Sequence, residues 1–197
     1  KRYILNVWDS EGVRYEEPKL KMMGIEAVKS STPAPCRTLI KNALKLIMNG
    51  TEDDVIDFIE KSRTEFKKLP PEDISFPRSA SNVEKYRAVN SIYAKGTPIH
   101  IRGSLLFNYY VKKKKLDNKY SLIGNGEKVK FCYLKLPNPI HENVMSFIQD
   151  FPKELELNNY VDYDLQFEKS FIEPLKAILN AIGWSVEKTA TLEAFFT

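Results

Sequence analysis

The first two dozen residues carry the hydrophobic pattern of two short strands. Tyr3 to Trp8 is rich in aromatic and branched residues, Asp9 to Gly12 is typical of a turn, and Val13 to Met23 returns to an extended pattern. This order predicts a β-hairpin. Because two strands alone are marginally stable in water, we expect the hairpin to belong to a larger sheet of a longer protein.

Apolar positions then recur at helical spacing in two adjacent segments. Thr32-Pro33 predicts a helix start, and Thr51 with Asp54 predicts the capped start of a second helix. The first apolar stripe comprises Cys36, Leu39, Ile40, Ala43, Leu44 and Ile47, and the second comprises Val55, Phe58, Ile59, Ser62 and Phe66. We predict that these helices form a hairpin that ends before Pro70 and Pro71, with an irregular stretch over residues 70–82.

The hydrophobic pattern in the second half of the chain predicts one more helix, a strand and a long final helix. Thr97-Pro98 indicates a helix start, and its predicted apolar face consists of Ile101, Leu105, Leu106 and Tyr109. Lys128 to Leu136 alternates lysine with apolar residues, as a half-buried strand does. The last helix, from Phe167, is predicted to be kinked at Pro174 and stopped at Gly183. The predicted fold class is therefore α+β, rich in helix with short antiparallel strands.

Composition limits the class of protein. A chain of 197 residues that is 43% hydrophobic can bury a core without disulfides or metals. Cys36 and Cys132 form no CxxC pair and the chain has two histidines, which argues against a structural zinc site. No apolar run approaches the roughly 18 residues of a membrane span, so we expect a soluble protein in a reducing compartment. The start at Lys1, without Met, suggests an excised domain or a processed product.

Charge is unevenly distributed although the net charge is only +4. Residues 96–135 carry 9 Lys and Arg against 2 Asp and Glu, whereas residues 136–197 carry 4 against 10. A basic middle and an acidic tail predict a polyanionic partner for one region only.

Two acidic clusters could in principle hold the metal ions of phosphate chemistry. Glu52-Asp53-Asp54 with Asp57 falls in a predicted first helical turn, and Asp162-Tyr163-Asp164 precedes a predicted helix. Both are better interpreted as caps that offset the helix dipole. The alternative, a metal-dependent nuclease using Asp162 and Asp164, stays open. The sequence contains no Ser-His-Asp, Cys-His or glycine-rich phosphate pattern, so we predict no catalytic and no metal site.

Basic residues gather at two predicted helix starts. Lys29-Ser30-Ser31-Thr32-Pro33 combines a cation, three hydroxyls and free helix N–H groups, which suits a phosphate. Lys95, His100 and Arg102 repeat the arrangement, and Lys112 to Lys115 extends it. A solvated surface is the competing interpretation of each cluster alone.

These segments together resemble family B DNA polymerases of the large-phage replicative type. The resemblance rests on Lys1-Arg2-Tyr3 before a hairpin, Lys21-x-x-Gly24, Lys29 to Pro33, Lys95 to Gly103 and Gly126 to Val129. In that family the first motif touches the primer end and the Lys-Ser-Ser-Thr-Pro segment opens the thumb domain. The family form begins one lysine before Lys1, so the motif is truncated here.

The resemblance implies a division of the chain and a set of DNA contacts. Residues 1–28 would be residual palm strands, residues 29–183 the thumb, and residues 184–197 a tail that binds a sliding clamp. Candidate DNA-binding residues are Lys1, Arg2, Tyr3, Lys21, Lys29, Ser30, Ser31, Thr32, Lys95, His100, Arg102, Lys112 and Lys113. The family's metal-binding aspartates lie upstream, so the fragment is expected to need no cofactor and to be inactive, while the intact polymerase uses Mg²⁺.

The C-terminal tail resembles the clamp-binding box of replication proteins. Thr189 stands at the usual glutamine, and Leu192, Phe195 and Phe196 would form an apolar plug for a pocket on the clamp. A tail folded back on the core is the alternative. We expect the protein to bind duplex primer-template DNA and the clamp and not to bind a membrane. Its expected location is the cytoplasm of the host cell. A free-standing clamp-associated DNA-binding protein is the alternative function.

Overall fold

A computed structural model describes residues 3–188 and confirms the α+β class. The chain divides into two compact units, Lys1–Lys68 together with Phe167–Thr197, and Leu69–Gln166, here called unit 1 and unit 2. The division predicted at residues 28 and 183 concerns function and stays a prediction. Within residues 3–188, no helix is long and apolar enough to cross a bilayer.

The regular elements follow one another along both units. The strands are β1 Tyr3–Ser10, β2 Val13–Met23, β3 Phe76–Ala80, β4 Glu127–Tyr133 and β5 Val144–Phe147. The α-helices are α1 Ala34–Asn49, α2 Glu52–Phe66, α3 Pro71–Ile74, α4 Ile99–Lys113, α5 Tyr163–Phe167 and α6 Glu173–Leu179. Short 3₁₀ turns cover Glu26–Val28, Val83–Tyr86, Lys153–Leu155, Asn158–Tyr160 and Asn180–Ile182, and a π-helical turn covers Glu168–Ile172.

The predicted hairpin of unit 1 is confirmed. β1 and β2 pair antiparallel with Tyr3 opposite Met23 and Leu5 opposite Lys21. Glu11 and Gly12 both have positive φ, 54° and 79°, which is the conformation that a tight turn between twisted strands requires. Leu5 and Met23 are each 50% exposed, so one face of this two-stranded sheet is open within residues 3–188.

The core of unit 1 lies between α1, α2 and the C-terminal helical segment. The side chains of Ile40, Leu44 and Ile59 are fully buried, as predicted from their spacing. The Phe66 ring meets the Phe167 ring edge-on, with centroids 5.2 Å apart. Thr51 and Asp54 form the predicted capping box, so the start of α2 is confirmed. Helix α2 ends at Phe66, before Pro70 and Pro71, as predicted.

Helices α1 and α4 begin one residue later than predicted. The residues that cap them are Pro33 and Pro98, and neither helix has a side-chain hydrogen bond at its cap. Thr32 was expected to cap α1 but is 6% exposed, and the Thr97 hydroxyl donates instead to the Ala94 carbonyl at 2.6 Å. Proline suits this cap position because its φ is fixed in the range that the position requires, and because proline has no N–H that needs a partner.

The final helix, predicted to be kinked at Pro174, departs from regular α-helix just before that residue. The Glu173 N–H donates to the Glu168 carbonyl five residues back, so the turn before the proline is π-helical. This wider turn gives room to Pro174, whose ring would otherwise meet the carbonyl four residues earlier. The segment ends as predicted at Gly183, which has a φ of +76°.

Unit 2 is a three-stranded antiparallel sheet of order β3-β4-β5 that α4 packs against. Gly103 allows the close approach, since a Cβ on it would lie 2.4 Å from Ser146 Oγ of β5. Leu106 and Phe107 of α4 are buried, as are Met145 and Phe147 of β5. The apolar face of α4 therefore covers the sheet, and Gly103 lies where the helix comes close to β5.

Two sequence predictions for unit 2 were wrong. Residues 70–82 were expected to be irregular but contain α3 and β3, an edge strand in which Pro77 needs no ladder hydrogen bond on its outer side. Tyr109 was expected on the buried face of α4 but is 42% exposed, because the apolar face turns toward Phe107 and Val111 instead.

Candidate nucleic-acid interface

The Lys29 segment of unit 1 forms a turn between a 3₁₀ turn and α1. Lys29 Nζ pairs with Glu26 Oε1 at 2.8 Å, yet the lysine side chain stays 43% exposed. Ser30 and Ser31 are exposed, and the Thr32 N–H donates to the Lys29 carbonyl at 3.1 Å. Because the Thr32 side chain is buried, an anion approaching from solvent would meet the lysine and two serines rather than three hydroxyls.

The hairpin brings two further predicted residues to one face. Lys21 is exposed and pairs across the sheet with Leu5, and Tyr3 lies on the same face two residues away. Lys1 and Arg2, predicted to touch a primer end, lie outside the described residues. So do Leu192, Phe195 and Phe196, the predicted clamp-binding residues.

The start of α4 in unit 2 combines exposed and fixed cations. Lys95 is exposed, whereas the Arg102 guanidinium donates to Asn143 Oδ1 and lies 5.6 Å from the centre of the Tyr93 ring. Arg102 Nε is buried and has no hydrogen-bond partner among the described residues. Arg102 is therefore a fixed positive charge beside the helix N-terminus.

His100 lies in the first turn of α4 against aromatic and cationic neighbours. Its ring is 6.3 Å from the Phe131 ring, and Arg78 stacks near the same phenylalanine at 5.7 Å. Burial, and then the positive charge of Arg78, lower the pKa of His100 below its usual 6.5. At neutral pH the imidazole is thus a neutral hydrogen-bonding group rather than a cation.

The lysines at the end of α4 differ in the contacts that they make. Lys113 Nζ lies 5.6 Å from the Tyr109 ring centre, and Lys114 Nζ donates to the Glu154 carbonyl at 2.6 Å. Lys112 and Lys115 are exposed and make no ion pair within residues 3–188. Only part of the run is therefore free to meet a polyanion.

Sequence reasoning missed two arginines of unit 2. The positive charge of Arg78 acts on His100, 22 positions later in the sequence, and Arg87 lines an open groove of about 230 Å³ with Tyr109 and Lys112. Both lie between Pro33 and Lys95, outside the segments on which the family resemblance rests. A spacing rule could not have found them, since their neighbours come from distant elements.

One residue of each acidic cluster, Asp162 and Asp54, caps a helix as interpreted from the sequence, and a second residue of each forms an ion pair. Asp162 Oδ1 accepts from the Leu165 N–H at 3.0 Å, and Asp164 lies 3.8 Å from Lys135 Nζ. In unit 1, Asp54 closes the capping box and Asp57 pairs with Lys188 at 3.2 Å. Between residues 3 and 188, no three candidate ligands come together as a metal site.

The chain is similar over its full length to phage DNA-directed DNA polymerases. It is 35% identical over 201 residues to that of Escherichia phage RB69 and 30% identical over 200 residues to that of Enterobacteria phage T4. Each alignment covers 100% of this chain and 22% of the relative, so the chain spans about a fifth of the relatives' length. No family model matches. The resemblance to phage-type replicative DNA polymerases, predicted from short motifs, is confirmed across the whole chain.

Proposed function

We propose that this chain is the palm-strand and thumb segment of a phage family B DNA polymerase, and that it grips primer-template duplex by its backbone. The full-length similarity to two phage DNA-directed DNA polymerases carries the proposal. The hairpin is the residual palm part, and the helices and second sheet are the thumb. Contacts to phosphate position a protein on DNA without reading sequence, so the grip is expected to be indifferent to sequence.

The exposed cations at two helix starts support this grip. Lys29 with Ser30 and Ser31 precedes α1, and Lys95 precedes α4. Helix N-termini attract anions because their N–H groups and the helix dipole point outward. Each unit thus offers one place for a phosphate.

Salt dependence tests the grip. A labelled hairpin oligonucleotide is titrated with the chain between about 50 and 200 mM salt, and we expect affinity to fall steeply because bound cations release counterions. Lys29→Gln with Lys95→Gln should reduce the slope by about 1–2, at about 0.9 per phosphate contact. Lys153→Gln with Lys176→Gln, one exposed lysine in each unit, is the control and should leave the slope unchanged. Absence of anisotropy change with wild-type protein would refute the proposal.

The intact protein is proposed to catalyse template-directed nucleotidyl transfer with Mg²⁺ bound by aspartates elsewhere in its chain. Both relatives are DNA-directed DNA polymerases, which supports this proposal. The segment alone should bind duplex but extend no primer. Primer extension by the purified segment with Mg²⁺ and nucleotides would contradict this division of labour.

The C-terminal tail is proposed to bind a sliding clamp through Leu192, Phe195 and Phe196. Apolar side chains on a single helical turn can fill a pocket on a partner, and the pattern fits that mode despite Thr189 at the glutamine position. Deleting residues 192–197 should abolish binding to a phage clamp in a pull-down and leave duplex affinity unchanged. Loss of both would indicate that the tail supports the fold instead.

A further inference from the structure

One helix of unit 1 carries a row of cations that no sequence motif singled out. Arg37, Lys41 and Lys45 of α1 recur every four residues, and the side chains of Lys41 and Lys45 are exposed while Arg37 is half-buried. We call these three residues the α1 row. Thr38 and Asn42 lie exposed beside it, and the opposite face holds the buried Ile40 and Leu44.

The α1 row does not serve the stability of its own helix. Arg37 lies near the N-terminal end, where the helix dipole disfavours a cation, and the last turn contains no basic residue to profit from the opposite end. Like charges four residues apart also repel one another. No Asp or Glu occurs anywhere in α1 to offset them.

Neighbouring acidic residues do not neutralise the α1 row either. Within residues 3–188, none of the three side chains forms an ion pair. In α2, Asp54 caps its own helix, Asp57 pairs with Lys188, and Glu65 pairs with Lys68 at 2.6 Å. These three acids of α2 are thus engaged elsewhere, and Lys41 and Lys45 of the α1 row are left exposed to solvent.

Unpaired charges that lower the stability of their own helix point to a binding partner of the opposite charge. We propose that the α1 row is a contact for the phosphate backbone of duplex DNA, additional to the two helix starts. Four residues of helix rise about 6 Å, so Arg37 and Lys45 are about 12 Å apart along the axis. Duplex DNA presents a negative charge about every 1.7 Å of its axis, so all three cations can face phosphates at once.

This inference rests on the proposed function and extends it along α1. Lys29 precedes the helix by only a few residues, so the row extends the series of basic residues from the turn at Lys29 along α1. The contact is expected to add affinity without sequence preference, because it involves the backbone alone.

The test compares two triple variants with the same change in formal charge. Arg37→Gln, Lys41→Gln and Lys45→Gln remove the α1 row, and Lys61→Gln, Lys68→Gln and Lys176→Gln remove three exposed lysines elsewhere in unit 1. Anisotropy titrations with a labelled duplex are performed between about 50 and 200 mM salt. We expect the first variant to lower the salt slope by about 2–3 and affinity at low salt by more than tenfold, at about 0.9 per phosphate contact.

The control variant should bind nearly as the wild type does. Thermal unfolding should show the row variant to be as stable as the wild type or more so, since like-charge repulsion has been removed. Equal slopes and affinities for the two triple variants would overturn the inference. If the wild-type chain itself binds no duplex, the proposed function fails first, and the two failures are thereby distinguished.

Discussion

Gly103 of α4 faces Ser146 of β5 so closely that a methyl group on the glycine would lie 2.4 Å from the serine Oγ and 2.8 Å from its backbone nitrogen. The serine hydroxyl also donates to the His100 carbonyl at 2.8 Å, which joins the helix to the strand. This contact fixes the distance between α4 and the sheet. It thereby sets where the first turn of α4, with His100 and Arg102, stands on the surface of unit 2.

Gly103→Ala should destabilise the protein by about 1–3 kcal/mol, the usual cost of forcing extra volume into a packed core. Combining it with Ser146→Ala should restore only part of the loss, because the backbone nitrogen remains. Urea unfolding measures the difference. Gly124→Ala, where a Cβ would lie 3.9 Å from Glu127 Cδ, serves as the control and should change stability by less than about 0.5 kcal/mol.

Asp162→Ala should cost about 0.5–2 kcal/mol through loss of the cap on α5. Asp162→Asn should retain most of the stability, since an asparagine oxygen can accept the same Leu165 N–H. Chemical denaturation distinguishes the two variants. Mg²⁺-dependent cleavage of DNA by the wild type that disappears in Asp162→Ala would instead revive the nuclease alternative.

Glu154 should make the stability of unit 2 depend on acid pH. Hydrogen bonds from Lys119 and then from the Tyr120 hydroxyl lower the pKa of its carboxyl from 4.5 to about 2. A carboxyl whose pKa is lowered in the folded state stabilises the fold above the unfolded value, and this contribution is lost as pH falls from 4.5 toward 2. Glu154→Gln should therefore show a smaller drop in urea midpoint over that range than the wild type does. Parallel pH profiles for both proteins would contradict the prediction.

Duplex affinity should not depend on His100 titration near neutral pH. Burial and then the charge of Arg78 lower the pKa of His100 below its usual 6.5, so the neutral form of the ring predominates at about pH 6.5 and above. Anisotropy titrations between about pH 6.5 and 8 should give one affinity, for the wild type and for His100→Gln alike. A rise in affinity on acidification that His100→Gln removes would mean that the imidazolium contacts phosphate.

The elements that the sequence predicts well depend on local signals. The hairpin follows from the turn at Glu11 and Gly12, α2 from the Thr51–Asp54 box, and the end of the last helix from Gly183. Each is determined by residues within a few positions of one another. The same holds for the capping role of Asp162, which needs only the helix that follows it.

The parts that escaped prediction depend on distant partners. β3 forms because Phe76 and Ala80 pair with Phe131 and Glu127, about 50 residues later, and no periodicity in five residues containing Pro77 announces a strand. Likewise, Lys114 donates a hydrogen bond to the backbone carbonyl of Glu154, 40 residues away, and is therefore not available to contact DNA. A charge run in sequence therefore overestimates the charge that is free on the surface.

The contact between the Phe66 and Phe167 rings has a consequence for engineering. Unit 1 is discontinuous in sequence: its first segment ends at Lys68 and its second begins at Phe167. The contact between the two rings brings these two chain positions together. The 98 residues between them form a cassette with neighbouring ends, the arrangement in which domain insertions and exchanges are tolerated. A short glycine-serine bridge in their place should therefore leave a foldable miniature of unit 1, onto which other cassettes can be grafted.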